Sequence, residues 1–95
     1  MNVFTFHSDP SHGWVEVSLA DVKGIGLDLC DFSSYSFKRG EQLFLEEDMD
    51  AATFIQRWES RKGGLVFREK YLAYSHWIRG LDRIDPGPTD DSIVF

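Results

Sequence analysis

Ala51, Phe54, Ile55 and Trp58 recur at i, i+3, i+4 and i+7, the spacing of one apolar helical face. Asp50 stands where an N-cap belongs, and Glu46, Glu47 and Asp48 precede the positive end of the helix dipole. Arg57, Arg61 and Lys62 crowd the negative end, and Gly63-Gly64 supplies a left-handed stop. Start and stop signals agree on one main amphipathic helix between Asp50 and Gly63.

The rest of the chain reads mostly as strands. Residues 3–6 form a short β-prone run, and residues 7–13 break it with the types that turns favour. Alternation resumes over 14–17, with Glu16 outward. Ser18 and Asp21 have the spacing of a capping box, opening a short helix through Leu19, Val22 and Gly24. An extended segment follows, Leu27 and Leu29 on one side, Cys30 and Phe32 on the other. Residues 33–37 alternate small polar with aromatic, which predicts a half-buried strand. Lys38-Arg39-Gly40-Glu41 is a hairpin loop returning into residues 42–45. Residues 65–71 predict a further strand, residues 74–81 fit a strand or a short helix, and the turn-rich acidic residues 85–95 predict a loose tail. The sum is a single α+β domain over residues 1–84. A small, mainly antiparallel β-sheet packs against one main amphipathic helix, with a short helix beside it.

Composition refines this picture. Aromatic residues reach 15%, eight of them Phe, so rings fill a core that has few aliphatic side chains. The single cysteine, Cys30, excludes an internal disulfide, and its apolar surroundings predict a buried, inert thiol. No apolar run approaches the ~18 residues of a membrane span. The first ten residues lack the basic region and cleavage site of a signal peptide, so the expected location is the cytoplasm of a bacterial host cell. The net charge of −6 is uneven: residues 1–50 hold ten acids and three bases, residues 51–84 three acids and seven bases. That balance argues against nucleic-acid binding by the whole chain, and for an acidic face that docks on a basic partner.

Three constellations could carry chemistry. His7, Asp9 and His12 put two imidazoles and a carboxylate in one loop, a candidate divalent-metal site for a small metal-binding module or metal-dependent hydrolase. The plainer alternative is a polar turn closed by Asp9 before Pro10. Glu46, Glu47, Asp48 and Asp50 form an acidic knuckle, which Asp28, Asp31 and Glu41 could widen into a docking face; helix capping and solubility are the alternative. Arg57, Arg61, Lys62, Arg68, Lys70, Tyr71, Tyr74, His76, Trp77 and Arg79 mix cations with aromatics as single-strand nucleic-acid binders do. GxSxG, phosphate-cradling GxxxxGK[ST] and Cys-x-x-Cys motifs are missing, and Gly24-Ile25-Gly26 alone makes no dinucleotide fingerprint. No cofactor is implied, and no residue is nominated as catalytic.

The segments HSDPSHGWVEV and FSSYSFKRGEQLFLEEDMDAATFI, which together span about Phe4 to Ile55, resemble a family of small acidic phage, prophage and mobile-element proteins. The resemblance implies a counter-defence context of the anti-CRISPR kind, in which proteins act by binding. On this reading the chain is a non-enzymatic inhibitor. It docks Glu46, Glu47, Asp48, Asp50, Asp28, Asp31 and Glu41 on a basic, nucleic-acid-handling protein complex, with a homodimer a further possibility.

Overall fold

A computed structural model describes residues 2–74 and 76–84. Six strands form one sheet: β1 (Asn2–Ser8), β2 (Gly13–Ser18), β3 (Phe37–Arg39), β4 (Gln42–Glu46), β5 (Leu65–Tyr71) and β6 (Asp82–Arg83). Their spatial order is β5-β1-β2-β4-β3-β6, and every neighbouring pair except β1–β5 is antiparallel. Helix α1 (Leu19–Gly24) follows β2, and helix α2 (Asp50–Lys62) carries the chain from β4 to the far edge of the sheet. β4 and β5 run the same way, so a hairpin cannot join them and a helical crossover must.

Period-two alternation splits the strands between two cores. Phe4, Val15, Val17, Leu43 and Leu45 face the helices and meet Ala51, Phe54 and Trp58 of α2. Phe4 sets its ring edge-on to both Phe54 and Trp58, at centroid distances of 5.4 and 5.0 Å. Each such ring, fully buried, contributes about 2–3 kcal/mol. The opposite face carries Trp14, Phe37 and Phe44, roofed by Ile78 in a 3₁₀ turn (Trp77–Gly80). Among the described residues no helix is long and apolar enough to cross a membrane.

The α+β class, the main helix and its glycine stop are as the pattern predicts; Gly63 has φ 87°. Several local expectations are corrected. Asp50 is not the N-cap: it is the first helical residue, Met49 precedes it without a side-chain cap, and the Asp50 carboxylate reaches back to Ser33 and Ser36. That tether bends residues 33–36 into a turn, and only Phe37–Arg39 is strand. Residues 29–31 form a 3₁₀ turn capped reciprocally by Asp28 and Asp31, which leaves Cys30 exposed, not buried. β1 runs on to Ser8, so His7 belongs to a strand and not to a turn. Ser18 accepts from the Asp21 N–H as expected of a cap. Residues 74–81 yield the 3₁₀ turn, followed at once by β6. The expected loose tail lies outside the described residues.

Candidate functional site

At one end of the sheet, the loop after β1 and the C-terminal 3₁₀ turn converge on a single buried carboxylate. Oδ1 of Asp9 accepts from the backbone N–H groups of Ser11 and His12 at 2.9 Å, an Asx turn held by Pro10. Its Oδ2 accepts from the His76 N–H at 3.0 Å, and Arg79 grips both oxygens through Nε and Nη2 at 2.8 and 2.9 Å. The Arg79 guanidinium holds the Asp9 carboxyl far below the usual carboxylate range, against an upward push from burial and with help from the three N–H donors. In turn Asp9 raises Arg79 above the ordinary guanidinium value. Asp9 thus fastens the 3₁₀ turn over Trp14, which Arg79 covers at 5.3 Å and His12 stacks against at 6.1 Å.

Gly13 brings the second wall close. The Glu47 N–H donates to the Gly13 carbonyl at 3.1 Å, and a Cβ on Gly13 would run into the Phe6 ring and the Glu47 carboxylate. The knuckle that follows β4 is built by its own acids. Glu46 is buried, and its two oxygens accept from the Asp48 and Met49 N–H groups at 3.0 and 3.3 Å. Asp50 accepts from the Ser33 N–H and from the hydroxyls of Ser33 and Ser36; Ser36 Oγ in turn accepts from the Glu46 N–H at 2.9 Å. The polar residues in the Ser-Ser-Tyr-Ser-Phe segment therefore hold the turn against the helix start, and Tyr35 points outward, 65% exposed.

Between these walls lies a cleft of about 310 Å³. Trp14 and Phe37 give it an aromatic lining, Tyr35 and Met49 stand on it largely exposed, and Glu46 and Asp48 face Arg79, Arg83 and His12 across it. Arg83 lies over Phe37 at 4.8 Å and donates to the Ser34 carbonyl at 2.8 Å. The indole N–H of Trp14 has no acceptor among the described residues, so stacking and cation–π contacts fix the ring. Chemically the cleft offers π-faces, a carboxylate and a guanidinium to one guest side chain. The segments HSDPSHGW, FSSYSF and LFLEED, the first well separated in sequence from the other two, all border it.

The acidic face expected from sequence is therefore smaller than the residue set suggested. Glu46 and Asp50 are turned inward to backbone and hydroxyl donors, which corrects their assignment to a docking surface. Asp28 and Asp31 are exposed but spend their carboxylates on their own 3₁₀ turn. Glu41 belongs to the hairpin turn at the opposite end of β4, while Glu47 and Asp48 are exposed at the knuckle. His7, Asp9 and His12 go to three different partners: Glu16, Arg79 and the Trp14 ring. Among the described residues no three His, Cys, Asp or Glu side chains are grouped to hold a metal ion. The basic set is divided as well. Arg57 donates to the Ile25 carbonyl, Lys62 lies over Trp58, and Arg68 and Lys70 stand on β5. Sequence reasoning missed Trp14, Tyr35, Phe37 and Arg83; the Ser-Tyr-Ser-Phe alternation was the available signal, misread as an unbroken strand. No protein-family model matches the chain, and comparison with curated proteins and with solved structures finds no match.

Proposed function

We propose that the chain works by binding another protein, with the cleft beside the acidic knuckle as its docking point. The observation that carries this is the pair of large side chains, Tyr35 (65% exposed) and Met49 (62% exposed), on the rim of the cleft beside the exposed Asp48. Exposed aromatic and Met side chains around a preformed pocket are typical binding anchors. Asp9 neutralises Arg79, and Asp48 with Glu47 outweighs the remaining cation of the cleft, Arg83, so the outer rim is acidic on balance, which favours a partner presenting Lys or Arg. The resemblance to small acidic mobile-element proteins supports a counter-defence role against a basic nucleic-acid-handling complex.

The test is affinity capture from a bacterial lysate with nuclease added, at low and moderate salt, comparing wild type with Tyr35→Ala/Met49→Ala and Glu47→Lys/Asp48→Lys. All four side chains are exposed, so the variants should fold. A nuclease-resistant, salt-sensitive partner lost from both variants is expected, each anchor contributing about 2 kcal/mol or roughly 30-fold in affinity. Undiminished capture by the folded variants would refute the reading.

A further inference from the structure

A second cavity, of about 350 Å³, opens over the sheet face where β1 and β5 run side by side. His7, Lys70, Tyr71, Leu72, His76 and Trp77 line it, and the docking cleft uses none of them. The parallel register sets Lys70 beside His7 and Arg68 beside Thr5 on one face, while Glu69 pairs with Phe6 on the other. The only cationic pair on β5 thus faces this cavity's side of the sheet.

The two imidazoles are wired in opposite senses. His7 Nε2 meets Glu16 Oε1 at 2.8 Å, and the other Glu16 oxygen accepts from Gln42 Nε2 at 2.7 Å. Burial pushes the Glu16 carboxyl up, but its bonds to His7 and Gln42 and the charge of Arg39 hold it below its ordinary value, so it stays ionised. An anion at Nε2 keeps the ring proton there and leaves the Nδ1 lone pair, which has no hydrogen-bond partner among the described residues. His76 is reversed. Its Nδ1 accepts from the Ile78 N–H at 3.2 Å, so the neutral ring carries its proton on Nε2 as a donor. Burial first, with the charge of Arg79, presses His76 below the ordinary imidazole range against the pull of Asp9, and it stays neutral. The two rings lie 5.2 Å apart, edge to face. A carboxylate-backed base, a neutral N–H donor, an ammonium and two exposed aromatics therefore share one cavity.

We propose that this cavity cleaves single-stranded RNA by intramolecular transesterification. His7 Nδ1 takes the proton of a ribose 2′-hydroxyl, the 2′-oxygen bonds to phosphorus, and the bond from phosphorus to the 5′-oxygen breaks. The proton passes from His7 to the departing 5′-oxygen, leaving a 2′,3′-cyclic phosphate and a 5′-hydroxyl. His76 Nε2–H and Lys70 hold the non-bridging oxygens, where charge builds. Tyr71 and Trp77 stack the flanking bases. Glu16 is a positioning residue: it fixes the His7 tautomer and never touches substrate.

The experiment incubates the purified chain with short RNA homopolymers and with the matching DNA, reading products by mass spectrometry. Cleavage of RNA to 2′,3′-cyclic phosphate ends, with DNA intact, is expected. His7→Asn and Lys70→Ala should each slow it by about 10²-fold. Lys70 is exposed, so its variant keeps the test alive if His7→Asn fails to fold. Glu16→Gln should move the acidic limb of the pH–rate profile, which a merely structural role would leave in place. No cleavage by wild type, equal cleavage of DNA, or an undiminished rate in the folded variants would each overturn the proposal.

Discussion

Replacing Asp9 by Asn tests the hub that holds the C-terminal turn on the sheet. Asn is nearly isosteric, and its single carbonyl can take the Oδ1 position, where it keeps the Ser11 and His12 N–H groups and Arg79 Nη2. The amide NH₂ then falls at Oδ2, facing two donors, the His76 N–H and Arg79 Nε–H. A buried donor left without an acceptor costs about 1–3 kcal/mol, and the His76 N–H is buried. The Arg79 side chain is about a third exposed, so water can take over part of its loss. The sum is about 2–4 kcal/mol, or a fall in melting temperature of about 10–25 °C for a chain of this size. Urea unfolding followed by tryptophan fluorescence measures it, and Arg79→Gln, whose loss water partly makes good, should cost less. If Asp9→Asn unfolds within about 0.5 kcal/mol of wild type, Asp9 is not the fastener, and the account of both cavities that share the 3₁₀ turn fails with it.

Two further outcomes follow from the same geometry. Asp9, Glu16 and His76 all have folded values below their ordinary ones, so the unfolded chain binds more protons at each, and stability falls as pH falls. The His76 share is complete above its unfolded value of about 6.5 and is lost below it, and the carboxylate shares are lost below about pH 4.5; urea midpoints at pH 7, 5.5, 4 and 3 should decline in those two stages, and a flat profile would count against the assigned pairs. Gly13→Ala should cost about 1–3 kcal/mol by forcing Phe6 and Glu47 apart from β2, and it should also weaken partner capture; a melt superimposable on wild type would show that the knuckle does not need that close approach.

The parts legible in sequence are those set by neighbours along the chain. The α2 stripe, its glycine stop, the chain reversal at Gly40 and the alternation of β2 all rest on local periodicity and backbone preference, although Lys38 and Arg39, expected in the hairpin loop, belong to β3. What escaped depends on partners far away. Asp50 is as good an N-cap by type as any residue, and only Ser33 and Ser36, brought beside it by the fold, draw its carboxylate elsewhere. Likewise a loop aspartate before proline gives no hint of Arg79, and His7 reads as a turn residue until β1 is seen to pair with β5 as far as Ser8. The knuckle's acids illustrate the same limit: charge shows in sequence, but whether a carboxylate serves solvent or a backbone N–H does not.

Asp9 and Arg79 are separated by 70 positions, and β1 finds its outer neighbour in β5, whose paired residues lie 63 positions further along the chain. During synthesis the N-terminal strand leaves the ribosome early and waits, one edge unpaired, until residues 65–71 arrive. The roof over Trp14 comes later still. Loop closure of this span must be met before the contact stabilises anything, so a chain rich in such pairings folds slowly for its length. Both cavities therefore depend on a late clasp: a chain halted before Arg79 would hold most of the helix-side core, but the 3₁₀ turn that both cavities share would lack its fastening to Asp9.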